Sequence, residues 1–285
     1  MEYNKREWQL FEVSILDKVV AICEKYNIRY FLSSGTLIGA VRHKGFIPWD
    51  DDIDIDMPIK DYKKFCKVAP KELEKVGCFF QTYKTDPETY IMWGMVRANN
   101  TTSMPISSYN WNIHWGVHID IFPIIGLYDN KFLRNLQYKL FDLNKTILEK
   151  DYIESGSCKD YTPNKKVQFL YKFPRCIRHL IVKVNNKFID KNFDKSTECA
   201  QKWSSLFSGY KREYFDNTIQ VEYEGKLYKG PVGYNELLTN MYGDYMTPPP
   251  EEERQGHEML QGETIRDLHT DYRVYQEKLR KKKYN

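Results

Sequence analysis

The clearest rhythm in the chain runs from Asp50 to Asp56, where carboxylates alternate with Ile53, Ile55 and Met57. A period of two belongs to a strand with one buried face, and it sets Asp52, Asp54 and Asp56 together on the other face. A solvated acidic loop needs neither the interleaved apolar residues nor the bulky flank Phe46-Ile47-Pro48-Trp49. The alternation returns at 116–122, where Asp120 lies opposite Ile119 and Ile121 and joins Asp52 and Asp54 if the two strands are neighbours in one sheet. Further strands are predicted at 29–33, 79–83 and 90–97, and a hairpin at 221–228 with its turn at Glu224-Gly225.

Helical periods separate these strands. Residues 5–25 carry Phe11, Ile15, Val19, Ile22 and Cys23 at spacings of three and four, the mark of one buried stripe. Gly35 opens a short helix at 36–41, and another is predicted at 61–68 after Pro58. From about 130 to 205 the pattern is helical and basic, with segments at 131–150 and 165–190 around a loop at 155–163. A short helix at 233–241 and a charged terminal helix at 262–283 complete the reading, and there is no internal repeat.

Composition narrows the class. A chain of 285 residues, 41% hydrophobic and 29% charged, can bury a sizeable core. No apolar run is long enough to span a bilayer, and the first residues lack the apolar core of a signal peptide, so a cytoplasmic protein is expected. Cys23, Cys66, Cys78, Cys158, Cys176 and Cys199 contain no Cys-x-x-Cys pair, which excludes a zinc ribbon or a disulfide framework and leaves reduced thiols. A net charge of +4 is too modest to argue for nucleic acid. The 15% aromatic content suits a carbohydrate or choline-like ligand met by ring faces.

The candidate chemistry follows from charge. Carboxylates held together on a rigid strand repel one another, and a divalent cation balances them; oxygen-only ligands point to Mg²⁺ or Mn²⁺. The first amides of the helix after Gly35 would point free N–H groups at an incoming anion. The two features together are an arrangement for holding a metal and a phosphate.

The stretch from Tyr30 to Ile55, with Ser34-Gly35-Thr36, Arg42-His43-Lys44-Gly45-Phe46, Pro48-Trp49 and Asp50-Asp51-Asp52-Ile53-Asp54, closely resembles the LicD family of phosphocholine transferases, relatives of fukutin and fukutin-related protein. The likeness continues through Ile119-Asp120-Ile121-Phe122-Pro123 and a late block from Tyr242-Gly243-Asp244-Tyr245 through Pro248 and Pro249 to Arg254 and His257. It implies an α/β (α+β) fold, a nucleotidyltransferase-like mixed sheet with flanking helices and a helical insert. Residues 1–125 would form the catalytic core, 126–215 the insert, and 216–285 a C-terminal segment completing the site, all in one globular unit. Ser34-Gly35 stands where many members have Gly-Gly, and Asp56 extends the acidic run beyond the family's usual pair.

The resemblance implies Mg²⁺- or Mn²⁺-dependent transfer of phosphocholine from CDP-choline to a hydroxyl of a cell-surface glycan or its precursor, releasing CMP. Asp52, Asp54 and Asp120 are then the catalytic and metal-binding residues, with Asp120 also a candidate to take the hydroxyl proton. Gly35, Thr36, Arg42, Trp49, Arg97 and His257 are the expected substrate-binding residues, with Trp49 and late tyrosines offered to the quaternary ammonium. His118 shares a face with Asp120. Two other readings keep the scaffold: a different donor, carrying ribitol phosphate or phosphoethanolamine on CDP, or a non-catalytic nucleotide- or glycan-binding protein. Arg280-Lys281-Lys282-Lys283 is a short tail without stacking residues, so no nucleic acid is expected there. It reads as peripheral contact with the inner face of a membrane carrying a lipid-linked acceptor, or as a solvated helix end.

Overall fold

The computed structural model describes residues 3–154, 169–202, 209–254 and 263–284. In chain order its first half runs α1 (Lys5–Lys25), β1 (Phe31–Leu32), α2 (Ser34–His43), β2 (Asp54–Pro58), α3 (Ile59–Glu74), β3 (Cys78–Gln81), β4 (Gly94–Ala98), β5 (Thr102–Pro105) and β6 (His118–Gly126). The second half runs α4 (Lys131–Glu154), α5 (Arg175–Ile189), β7 (Glu198–Gln201), β8 (Tyr210–Lys211), β9 (Thr218–Tyr223), β10 (Lys226–Pro231), α6 (Tyr234–Tyr242), β11 (Thr264–Asp267) and α7 (Tyr272–Tyr284).

The main sheet is mixed, as the α/β expectation requires. Its order is β1-β2-β6-β4-β3, with β7 paired to the far end of β6 and β8 to β7. Only the pairing of β2 with β6 is parallel, and it sets Asp54 opposite Asp120. Ile53, Ile55, Met57, Ile119 and Ile121 are all buried in the main core, where α1 and α3 pack on the sheet. Each such side chain contributes roughly 1.5–3 kcal/mol of burial. The alternation noted in the sequence is thus the division of this sheet into an apolar face and a polar one.

Local chemistry fixes the element ends. Asn4 caps α1 by accepting the Glu7 amide at 3.2 Å. Lys44, at φ 60°, ends α2, and the β9–β10 turn takes φ 52° at Glu224 and 73° at Gly225, the pairing that suits a two-residue hairpin. The five cysteines among the described residues are all free thiols.

Several expectations change. Strand structure begins only at Asp54, because Asp51 is turned into a buried ion pair with Arg266 on β11 at 3.0 Å. The strand expected at 90–97 starts at Gly94, and the helical stretch to 205 gives way at Glu198, where backbone bonds recruit the chain as β7. The terminal segment is not one helix: Thr264–Asp267 pairs with β5, and α7 follows. This second unit closes over its own cluster of Met104, Trp111, Ile113 and Trp115, against which Tyr272, Tyr275 and Leu279 pack. No helix among the described residues is long and apolar enough to cross a membrane.

Candidate active site

The parallel register of β2 and β6 brings Asp54 and Asp120 side by side, and the backbone ties the two strands further where the Asp120 amide donates to the Ile53 carbonyl at 2.9 Å. Asp52 stands one pleat before Asp54. All three side chains are half-buried. Burial pushes the Asp54 carboxyl well up, and the charges of Asp52 and Asp120 push it further. Asp52 is raised by burial too, then by Asp120 and Asp51, against the opposing effect of a hydrogen bond with Asp50. Asp56 belongs elsewhere. It is buried, accepting from Ser33 Oγ at 2.9 Å and Gln201 Nε2 at 2.8 Å, and it locks β1, β2 and β7 together.

The N-terminus of α2 lies beside this cluster. Its N-cap residue Ser33 gives no side-chain bond to the helix amides, because its hydroxyl is committed to Asp56. The first amides therefore keep the anion-facing character of an uncapped helix start. Gly35 is there for room: a Cβ would come within 2.7 Å of Asp50 Oδ2. Thr36 is buried and its Oγ1 accepts the Asp54 amide at 2.9 Å, so it aims the acidic strand instead of facing outward. Tyr242, from the end of α6, hydrogen-bonds Ser34, and burial first, with the nearby carboxylates Asp54 and Asp50, pushes its phenol up to about 12.

A basic group faces the same loop. Arg42 donates to the Tyr245 carbonyl at 2.6 Å and to His43 Nε2 at 2.9 Å. Burial lowers its pKa, and so does the charge of Arg254. Arg254 lies 5.2 Å over the Trp49 ring, with His43 edge-on to that ring at 6.5 Å. The Trp49 face offered to a choline group thus already carries a protein cation. Two guanidiniums held within each other's field, at the last turn of α2, are a place for an anion. The loop itself is pinned from α1, where Gln9 Nε2 donates to the Asp50 carbonyl at 2.8 Å.

One expected residue, Arg97, is committed elsewhere. Arg97 is buried: it donates to Gln81 Oε1 at 2.5 Å, to the Gly116 carbonyl at 2.8 Å and to His118 Nδ1 at 3.3 Å, so it braces β3, β4 and β6 from within. Burial lowers its pKa to about 10. His118 is held neutral by burial and by Arg97. His257 lies outside the described residues. Conversely, Trp93 was not singled out by the sequence, yet its Nε1 donates to Asp120 Oδ1 at 2.8 Å while its ring packs 5.5 Å from Phe122. Its signal was its place just before β4, across the sheet from β6.

Among the described residues no group of three or more His, Cys, Asp or Glu side chains is arranged to hold a metal ion by itself. Mg²⁺ does not ask for such a cage, since it keeps several waters and takes one or two carboxylates together with substrate phosphates. All-oxygen donors that raise one another's pKa fit an ion of that kind.

Residues 27–172 match the family described as LicD/FKTN/FKRP, nucleotidyltransferase domain. The chain is 31% identical over 270 residues to the lipopolysaccharide cholinephosphotransferase LicD of Haemophilus influenzae, covering 88% of this chain and 95% of that protein. It is also 44% identical over 43 residues to the ribitol 5-phosphate transferase FKRP of Homo sapiens, a stretch that is 15% of this chain and 9% of that one.

Proposed function

The chain belongs to the LicD family, and from that footing we propose that it is a phosphotransferase moving phosphocholine from CDP-choline to a hydroxyl of a glycan. The observation that carries this reading is the register of Asp54 against Asp120, with Asp52 one pleat away, beside the uncapped start of α2, whose last turn holds Arg42 in the field of Arg254. Similarity to a lipopolysaccharide cholinephosphotransferase over nearly its whole length supports the choice of donor.

In the reaction the acceptor oxygen bonds to the phosphorus bearing choline, the bond from that phosphorus to the CMP oxygen breaks, and CMP leaves. Such transfers depend on positioning and charge stabilisation more than on covalent help. Asp52, Asp54 and Asp120 would hold Mg²⁺, which when bound supplies charge neutralisation to the diphosphate and acidity to the hydroxyl. Arg42 and Arg254 meet the diphosphate from the other side. Asp120, fixed by Trp93, is oriented to accept the hydroxyl proton. The 43-residue similarity to a ribitol 5-phosphate transferase supports a second reading, the same chemistry with another CDP-linked alcohol.

Calorimetric titration with CDP-choline, CDP-ethanolamine, CDP-ribitol and CMP, each with Mg²⁺ and with EDTA, separates these. Metal-dependent binding that prefers CDP-choline is expected, and equal binding of all four would return the donor to open choice. Asp54→Asn should lower turnover by on the order of 10²–10³-fold while the melting temperature holds or rises, because a repelling charge is removed. Wild-type turnover in that variant would sink the assignment of the site.

A further inference from the structure

α5 carries apolar side chains on its outer face as well as on its inner one. Its buried positions are Arg178, Val182, Asn186 and Ile189, and two of these four are polar. Arg178 donates to the Ile147 carbonyl at 2.9 Å, and Asn186 bonds Asn144, Lys202 and Tyr83. An apolar line is exposed on the outer side: Ile177, Leu180 and Val184 of α5 are 40%, 56% and 53% exposed, and Phe169 and Phe173, on the 3₁₀ turn and bend just before the helix, 56% and 39%. The spacings of three and four from Ile177 to Leu180 to Val184 keep one line along α5. A helix whose only task was to pack on α4 would keep such side chains off its outer face, because exposed apolar surface forfeits about 25 cal/mol per Å² of burial.

Charge says what covers the stripe. α5 carries Arg175, Arg178, Lys183 and Lys187 and no Asp or Glu, and Lys172 stands just before it. Lys183 and Lys187 are exposed on the flank of the apolar line. Glu88 lies 3.6 Å from Arg175. A second copy of the same face would set cation against cation. An anionic lipid surface takes both properties at once, apolar side chains into the acyl boundary and lysines at the headgroups.

We infer that the face from Phe169 to Val184 docks the protein in the plane of an anionic bilayer. The inference stands whichever CDP-linked alcohol the site accepts, and it places membrane contact on α5 rather than on the basic tail of α7. It is tested by co-sedimentation with phosphatidylcholine vesicles containing or lacking 30% phosphatidylglycerol, at low and high salt. The full chain should sediment with the anionic vesicles alone and be released by salt. Leu180→Glu with Val184→Glu should abolish sedimentation, and Lys183→Glu with Lys187→Glu should weaken it by at least ~10-fold. Lys278→Glu with Lys281→Glu on α7 should leave it in place. Circular dichroism and melting identify whichever pair remains folded. Failure of the wild type to sediment, retention by both folded α5 pairs, or loss confined to the α7 pair would overturn the inference. So would a dimer in light scattering that Leu180→Glu dissolves, which would make the face an interface between copies.

Discussion

Asp120 has the indole of Trp93 on one of its oxygens, a bond that helps to orient the carboxyl. Trp93→Phe keeps the packing on Phe122 and removes only the donor. Turnover should fall on the order of 10-fold, as for outer partners of metal-site residues, with the melting temperature nearly unchanged. Equal activity would mean that Asp120 needs no such guide. Arg254→Ala tests the other side of the site: the half-exposed guanidinium stacks on Trp49 and adds to the field at Arg42, so its loss should raise KM for the nucleotide by roughly 10-fold and spare kcat. An unchanged KM would remove it from the donor site. The carboxylates were legible because acidity and strand period coincide at Asp52, Asp54 and Asp120. Arg97 was not, since a lone arginine in a strand reads alike whether it faces a ligand or braces three strands from inside.

At the scale of elements, α2 and the loop after it form one device, and Gly35 is its joint against Asp50. A methyl group there would displace the Asp50 carboxylate, which hydrogen-bonds Asp52. Asp50 sits on the free end of a short side chain and can rotate away, and alanine favours a helix over glycine by about 1 kcal/mol. Gly35→Ala should therefore melt at or above the wild-type temperature while losing activity by about 10-fold, a split that thermal melts and turnover measure separately; parallel loss of both would mean a steric defect in the fold. Periodicity located α1, α2, α6 and the β9–β10 hairpin, whose determinants are local. It missed β5 and β11, because Thr102–Pro105 and Thr264–Asp267 become strands only through one another, across some 160 residues of sequence. The charged run at 262–283 reads as helix until that partner is known.

Across the whole molecule, His114 joins the main sheet to the C-terminal unit. Its ring stacks on Phe79 of β3 at 5.1 Å and lies 5.0 Å from Tyr272 of α7. Nδ1 accepts the Gly116 amide at 3.1 Å, and the bond to Asn99 Oδ1 at 3.1 Å then requires the proton on Nε2. Burial, then the charge of Arg97, lowers its pKa to about 3. Between that value and the ordinary histidine range near 6.5 the unfolded chain binds the proton and the folded one does not, so stability rises with pH across this window and is lost as pH falls through it. Carboxylates titrate in the same interval, and comparison with His114→Gln isolates the histidine. The variant gives up the stacking at every pH and carries no titrating group at this position, so only the wild type loses stability through it as pH falls. The stability gap between the two proteins in urea should therefore be widest at pH 7.5 and shrink by roughly 1–2 kcal/mol at pH 5. A gap independent of pH would mean that His114 takes up its proton without disturbing the junction, and that the C-terminal unit is held by its aromatic cluster alone.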